Sequence, residues 1–379
     1  MKKINRILSV ILLAVMMFSL IGCNKNKVDD DNTNPSVNNS NGNNGGNNDG
    51  IIDPSKTSYK AYSFNYFDTV TTIVGYEKTQ DEFAATYEKI MEVVGEYHKL
   101  FDIYNEYSGM VNICTINKLY DGQHKEFVVD SRIIDMLLYA KKMYEVTDGN
   151  MNIAMGSVLS IWHDYRTAGI DNPTKAELPP MDKLQEAAKH TNIDNLIIDK
   201  ERSTVYISDP QMTLDVGAIA KGYAVDMVAK YVESLGKYNY AINIGGNIQT
   251  TGPKATGDKW KTGIENPGIS SDATYIQYVG LNKEAIVTSG SYQRFYIVNG
   301  KSYHHIIDAD TLMPSTGFVS VTVICKSSAD GDGLSTALFC MSLEDGMALV
   351  NSLEGVEALW VTEDEVIHYS NNFSKHIWQ

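Results

Sequence analysis

The chain has little cysteine and too little positive charge for several functional classes. Its 379 residues include four cysteines and no Cys-x-x-Cys pair, which argues against a zinc ribbon and against a disulfide framework. Lys and Arg number 32 against 47 Asp and Glu, and the net charge of −15 argues against nucleic acid as a partner. No Gly-x-x-x-x-Gly-Lys-Ser/Thr stretch occurs, so a Walker-type phosphate loop is excluded.

The N-terminal segment predicts export and attachment to a membrane. Three basic residues are followed by an apolar stretch over residues 7–22, shorter than the ~20 residues that a spanning helix needs. The sequence Leu20-Ile-Gly-Cys23 resembles the lipobox of bacterial lipoproteins, whose cysteine thiol accepts a lipid. We therefore predict a signal peptide over residues 1–22 and lipidation of Cys23 on the extracytoplasmic face of the cell membrane. An uncleaved anchor helix is the alternative.

The next segment cannot bury enough apolar surface to fold alone. Residues 23–58 are rich in Asn, Asp and Gly, which predicts a disordered tether. Residues 59–379 are long enough for one large domain or two subdomains. The remaining cysteines lie in apolar stretches and are predicted to pack in the core: Cys114, Cys325 and Cys340.

Helical periodicity alternates with short hairpins in this globular part, which predicts an α+β fold and not a doubly wound parallel sheet. Asn299-Gly300 is the preferred sequence of a type I′ hairpin turn. The predicted helices are 83–101, 133–143, 218–235 and 334–341. The predicted strands are 196–198, 204–207, 292–298, 301–307, 318–324, 357–361 and 366–369.

The stretch from Thr213 to Asp226 is the most informative one. It predicts a strand that ends at Asp215, a turn at Gly217 and a helix with Lys221 one turn inside. The positive end of a helix beside a lysine suits a phosphate group. An ordinary strand–turn–helix with a solvated lysine is the alternative.

Four further stretches carry chemically competent residues. Two glycines in Asn243–Ile248 indicate a close approach of the backbone, and Arg294 follows small polar residues in Thr288–Tyr296. Tyr303–Asp308 contains His304 and His305. In the last stretch Asp332 and Thr336 are four residues apart, so a helix would place them on one face, and carboxylate with hydroxyl oxygen suits Mg²⁺.

Together these stretches resemble the ApbE family, the FAD:protein FMN transferases, in content and order. The resemblance runs from about Phe64 to the C-terminus. It implies an α+β, ApbE-like two-subdomain fold with largely antiparallel sheets, flanking helices and an active site in the cleft between the subdomains. The matching segments are Leu214–Asp226, Asn243–Asn247, Thr288–Arg294, His305–Asp308 and Asp332–Thr336.

The resemblance implies an Mg²⁺-dependent enzyme that uses FAD as a substrate. It would transfer FMN to a Thr or Ser hydroxyl of exported flavoproteins of electron-transfer systems and release AMP. Hydrolysis of FAD to FMN and AMP is one alternative, because water would replace the protein hydroxyl. A flavin-binding lipoprotein without catalysis is another.

The resemblance also implies roles for individual residues. His305 is the expected general base, with Asp332 as its rival, and strand alternation separates His305 from His304. The implied FAD contacts are Phe67, Tyr104, Asn150, Met151, Asn152, Asp215, Lys221 and Ile306. The implied Mg²⁺ ligands are the carbonyl of Ala218 with Asp332 and Thr336, Asp330 being the alternative carboxylate. The departures are Phe67 where the family usually has Met, Asn152 where it often has Asp, and Ala309 and Leu312 in the loop after the histidines.

Overall fold

The computed structural model of the chain describes residues 52–268 and 273–379. The predicted signal peptide, Cys23 and most of the predicted tether lie outside these residues. The helices are α1 (Gln80–Phe101), α2 (Ile113–Ile116), α3 (Ser131–Val146), α4 (Gly156–Asp171), α5 (Met181–Ala188), α6 (Ala220–Ser234), α7 (Ser328–Cys340) and α8 (Leu343–Ser352). The strands are β1 (Thr57–Ser63), β2 (Thr71–Glu77), β3 (Phe127–Val128), β4 (Leu196–Asp199), β5 (Thr204–Ile207), β6 (Tyr240–Ile244), β7 (Asn247–Thr250), β8 (Trp260–Glu265), β9 (Tyr275–Leu281), β10 (Ala285–Gly290), β11 (Phe295–Val298), β12 (Lys301–His304), β13 (Phe318–Cys325), β14 (Glu357–Thr362) and β15 (Ile367–Tyr369).

An antiparallel sheet organises the chain. Its strand order is β1-β2-β6-β7-β10-β13-β14-β15, and each neighbouring pair is antiparallel. The predicted α+β class is confirmed. The hairpin β11–β12 is confirmed as well, and Asn299 (φ 50°) and Gly300 (φ 80°) have the left-handed backbone that a type I′ turn requires.

Both faces of this sheet are buried. Alternate residues of a strand point to opposite faces, so Val323 and Trp360 join the core beneath α1, α6 and α7, while Ile324 and Leu359 join a second cluster on the other face. The hairpin β8–β9 covers that second face with Trp260.

A smaller unit packs around α4, α5 and the β11–β12 hairpin. Its core contains Trp162, Leu184 and Tyr296, and the indole N–H of Trp162 donates to the carbonyl of Leu312 at 2.9 Å. The predicted base His305 directly follows β12, where Ile306 packs in the main core and Ile307 in the smaller one. Lys221 and Asp332 belong to helices on the main sheet.

Helices α6 and α7 contact each other at backbone distance. A Cβ atom on Gly222 would lie 2.3 Å from the carbonyl oxygen of Ser328 and 2.4 Å from Cβ of Asp332. Neither neighbour is the flexible end of a side chain, so only glycine allows the two helices to lie this close. The first turn of α6 is thereby brought against Asp332.

Several predicted boundaries were wrong, most clearly around Asp215. Residues before it form no strand, because the side chain of Asn117 bonds both backbone groups of Leu214 (2.8 and 2.9 Å) and the N–H of Asp215 donates to Ile153 at 2.8 Å. Helix α6 begins at Ala220 and not at residue 218, since residues 217–219 form a turn.

Other differences concern length. Helix α7 begins at Ser328, six residues before the predicted start, with Ser327 as its N-cap. Strand β11 begins at Phe295 and β12 ends at His304, so this hairpin is shorter than predicted. Thr57 and Ser58, assigned to the tether from sequence, belong to β1. Within the described part of the chain no helix is long and apolar enough to cross a membrane, and Cys114, Cys325 and Cys340 are free.

Candidate active site

The carboxylate of Asp332 is buried in the predicted site and is bonded by groups of α6. It is 3% exposed, and its Oδ2 accepts the backbone N–H of Gly222 at 2.8 Å. The ammonium of Lys221 lies 3.2 Å from Oδ1. Burial raises the pKa of this carboxyl, while Lys221 and the Gly222 N–H lower it. The lysine and the N–H therefore compensate part of the cost of burying this charge, and the pKa of Asp332 stays above its ordinary value.

This contact changes the interpretation of the α6 N-terminus. The first N–H groups of a helix have no partner within the helix and favour negative charge. Sequence predicted a phosphate there, but Asp332 itself occupies the N–H of Gly222. Lys221 remains about one-quarter exposed, so its ammonium can contact both Asp332 and a ligand.

Asn247 completes the arrangement and was missed as a site residue. With its amide oriented to satisfy both neighbours, its N–H donates to Asp332 Oδ1 at 3.1 Å and its carbonyl accepts from Lys221 at 3.1 Å. It follows a turn in which Gly245 and Gly246 have φ of 59° and 92°. A Cβ on Gly245 would lie 2.6 Å from Oγ1 of Thr69, which confirms the close backbone approach predicted from the two glycines.

The donor set at α7 fits Mg²⁺. Asp332 and Thr336 are one turn apart on the same helix, as predicted, and both offer oxygen. No group of three or more His, Cys, Asp or Glu that could hold a metal ion occurs in residues 52–268 and 273–379. A magnesium ion here would therefore take further oxygens from substrate and water, as is usual for Mg²⁺. The alternative carboxylate, Asp330, accepts the hydroxyl of Tyr139 instead.

The two neighbouring histidines differ in their hydrogen bonds. Nδ1 of His304 accepts from the N–H of Ile306 at 3.2 Å, and its Nε2 lies 2.8 Å from the carbonyl of Ser315. Both ring nitrogens of His304 are therefore used within the protein. Nδ1 of His305 is buried and has no hydrogen-bond partner among the described residues, which makes His305 the imidazole that remains available.

His305 lies in a positive environment. Burial is the main cause that lowers its pKa to about 3, and the charges of Arg294, Arg166 and Lys221 lower it further. A neutral imidazole can accept a proton. The cations around it would be offset by an anionic ligand, so the site has the charge that a diphosphate requires.

Asp215 lies on the side of the site that Arg166 and Arg294 share. Burial raises its pKa, while the N–H of Gly217 at 2.8 Å and these two arginines oppose that rise. Tyr104 is 60% exposed, and its ring lies 5.4 Å from that of His163. The charges of Asp215, Arg166 and Arg294 also shift the pKa of Tyr104. The predicted FAD contacts Tyr104 and Asp215 therefore lie in one group with His163, Arg166 and Arg294.

The remaining predicted FAD contacts are more deeply placed. Asn150 donates its side-chain amide to the carbonyl of Thr147 at 3.0 Å. Met151 is 1% exposed and packs in the main core, and Ile306 is 6% exposed. Asn152 caps the following turn by accepting the N–H of Ala154 at 2.9 Å and donates to Thr191 at 2.9 Å. These side chains fix the shape of the segments around the site.

A sequence model of the ApbE family matches residues 67–360. The chain belongs to the ApbE family. It is 30% identical over 294 residues to a Klebsiella pneumoniae protein named FAD:protein FMN transferase, covering 77% of this chain and 86% of that one. It is 29% identical over 290 residues to a protein of the same name from Haemophilus influenzae, covering 76% of this chain and 79% of the other.

The fold of this ApbE family member is also similar to a solved structure. The ApbE protein of Thermotoga maritima superposes with a TM-score of 0.73 at 29% identity, over 85% of this chain and all of that one. The family and fold implied by the sequence motifs are confirmed.

Some of the residues that were missed had a signal in the sequence and others had none. Asn247 and Arg294 lie inside motifs that were recognised, so their position was visible although their role was not. Arg166 and His163 lie on α4, which was not predicted, and Arg166 contacts His163 Nδ1 at 3.0 Å. Only the fold brings them to Asp215.

We expect the pKa of the His305 imidazole to lie well below 6.5, so that it stays neutral at pH 5. Replacing Arg294 with Gln should raise this pKa, because a positive neighbour disfavours the imidazolium, but should leave it below 6.5 because burial is the larger cause. Nitrogen-15 NMR titration measures both values, with His305→Gln assigning the signal. Arg202→Gln, on the exposed β4–β5 turn, is the control. A His305 that titrates near 6.5 in the unaltered protein would contradict this account.

Proposed function

We propose that this chain is an FAD:protein FMN transferase that moves FMN from FAD to a Thr or Ser hydroxyl of another protein and releases AMP. The match to the ApbE family is the observation that supports this activity most directly. The arrangement of Asp332, Lys221 and Asn247 beside a neutral His305 supports it, because phosphoryl transfer depends on positioned positive charge and on a proton acceptor.

Asp332, Thr336 and the carbonyl of Ala218 would hold Mg²⁺, which supplies charge neutralisation at the diphosphate. Lys221 would contact the same diphosphate through the exposed part of its ammonium. Asn247 and the N–H of Gly222 keep the carboxylate of Asp332 oriented. Phe67, Tyr104, Asp215 and Ile306, with the segment 150–152, would contact FAD.

His305 would receive the proton of the acceptor hydroxyl. The acceptor oxygen forms a bond to the phosphorus of the FMN half, the bond from that phosphorus to the AMP oxygen breaks, and AMP leaves. The negative charge of FAD offsets Arg166, Arg294 and Lys221, which raises the basicity of His305 once substrate is bound. Proton transfer is thereby linked to occupancy of the site.

The acceptors that we propose are exported flavoproteins of electron-transfer systems. The basis is the predicted lipidation of Cys23, which would hold the enzyme on the extracytoplasmic face of the membrane, with the segment between Cys23 and β1 as a spacer. FAD would therefore have to be supplied on that side.

Incubation of the purified protein with FAD, Mg²⁺ and an acceptor domain should yield an acceptor heavier by one FMN, as read by intact-protein mass spectrometry. Asp332→Asn should reduce the transfer rate by about 10²–10³-fold, the usual loss when one charge-stabilising group is removed. Asp330→Asn removes the same charge from the same helix and is the matched control, expected to retain most activity.

Two results would contradict this function. Absence of the adduct with the unaltered protein would exclude transfer under these conditions. AMP release at equal rates with and without acceptor would instead indicate FAD hydrolysis, because only the nucleophile differs.

Cys23→Ser should release the protein from the membrane fraction and abolish incorporation of a radiolabelled fatty acid. The lipid is predicted to join the protein through that thiol, which serine lacks. Cell fractionation followed by immunoblotting provides the measurement, and Cys114→Ser, a change in the folded part of the chain, is the control. Unchanged membrane retention of Cys23→Ser would favour an uncleaved anchor helix.

A further inference from the structure

The segment that precedes β2 has an unusual backbone at a proposed FAD contact. Phe67 and Asp68 have φ of 57° and 49°, a left-handed conformation that a bulky residue such as Phe rarely adopts. Such a conformation persists only where the surroundings hold it. The nearest support is His98, in the last turn of α1.

His98 binds this segment through its ring and through one nitrogen. Its Nδ1 accepts the N–H of Phe67 at 3.3 Å, and the two rings meet edge to face with centroids 5.4 Å apart. Tyr66 packs on the same imidazole at 5.6 Å. Because Nδ1 accepts, the imidazole proton resides on Nε2, which lies 3.3 Å from the hydroxyl oxygen of Tyr107.

The chain of hydrogen bonds continues to a second proposed FAD contact. The hydroxyl of Tyr107 donates to Oδ2 of Asp102 at 2.8 Å. Oδ1 of Asp102, which is 8% exposed, accepts the N–H of Tyr104 at 2.7 Å and that of Asn105 at 3.0 Å. One ordered sequence of donors and acceptors therefore connects the backbone of Phe67 with the backbone of Tyr104.

We propose that His98, Tyr107 and Asp102 are positioning residues that hold Phe67 and Tyr104 in the orientation that receives the flavin ring. This inference rests on the proposed function, in which both aromatic residues contact FAD. None of the three positioning residues needs to touch the substrate. Their effect is on affinity, since they remove in advance the conformational freedom that binding would otherwise restrict.

The network has only one arrangement of protons, and this distinguishes it from ordinary packing. A protonated His98 would direct a second N–H at the N–H of Phe67 and lose that bond. Burial lowers the pKa of His98, which favours the neutral ring, while Asp102 and Asp68 raise it and Lys99 lowers it. Burial and the hydrogen bond of Tyr107 to Asp102 raise the pKa of Tyr107 to about 12, which keeps its hydroxyl a donor.

The test measures FAD affinity and turnover separately. Tyr107→Phe keeps the ring and removes the hydroxyl that joins His98 to Asp102, and His98→Phe keeps a ring while it removes both hydrogen bonds. We expect each change to raise the KM for FAD about tenfold, the usual size for one or two hydrogen bonds, with kcat changed less than twofold. His98→Asn places an oxygen near the position of Nδ1 and should restore part of the affinity.

A second readout needs neither acceptor nor turnover. FAD fluorescence is quenched when the isoalloxazine stacks on aromatic rings, and titration of the protein gives the dissociation constant directly. The variants should show weaker binding and less quenching at saturation. Tyr87→Phe is the matched control, because it removes a tyrosine hydroxyl on the same helix that donates to the carbonyl of Tyr62 at 3.0 Å, outside this network.

The outcomes separate this inference from the proposed function. Unchanged FAD affinity and quenching in Tyr107→Phe and His98→Phe would overturn the positioning role, as would a loss no larger than that of Tyr87→Phe. A fall in kcat and thermal stability with the KM unchanged would also overturn it. If the unaltered protein failed to transfer FMN, the proposed function would fail, while the fluorescence titration would still decide the positioning role.

Discussion

The buried carboxylate of Asp332 is the constraint on which the site and much of the fold depend. Taking an ionised carboxylate out of water costs several kcal/mol unless charges and N–H groups compensate it. Three groups compensate it: Lys221 and the Gly222 N–H come from α6, and Asn247 comes from the start of β7. The carboxylate thus fixes where two helices and the central sheet meet.

The same contacts explain why glycines recur at this point. Gly222 lets α6 reach Asp332, and Gly245 lets the turn before Asn247 pass Thr69. The consequence is that the carboxylate oxygens of Asp332 are already oriented before any ligand arrives. Beside it, His305 is kept neutral by burial and by surrounding cations. In the function that we propose, an anionic substrate would fill the site and make His305 a stronger base.

The sequence predicted the fold class and the family, and it singled out Asp332 and Lys221, because these are encoded in contiguous motifs. The Asn299-Gly300 hairpin follows from local propensity alone, whereas the helix that carries Asp332 and Thr336 begins six residues before its predicted start. The prediction of a strand before Asp215 was wrong because the side chain of Asn117, nearly one hundred residues earlier, bonds both backbone groups of Leu214. The residues around Asp215 give no indication of a partner that is so distant in sequence.

The roles of Asn247, Arg166 and His98 could not be predicted for a related reason. Each acts through a residue distant in sequence: Asp332 for Asn247, Asp215 for Arg166 and Phe67 for His98. Asn, Arg and His side chains occur in many structural settings, and only the tertiary fold shows which partner each of them has. Left-handed backbone at Phe67 is likewise invisible in sequence, because bulky residues seldom adopt it.

The most direct test of this account is the linkage between Mg²⁺ and FAD at Asp332. Fluorescence titration with FAD, in the presence and absence of Mg²⁺ and without acceptor, measures it for the unaltered protein and for Asp332→Asn. If the oriented carboxylate holds the ion that neutralises the diphosphate, Mg²⁺ should tighten FAD binding by about tenfold or more in the unaltered protein and by almost nothing in the variant. Equal tightening by Mg²⁺ in both proteins would contradict the account.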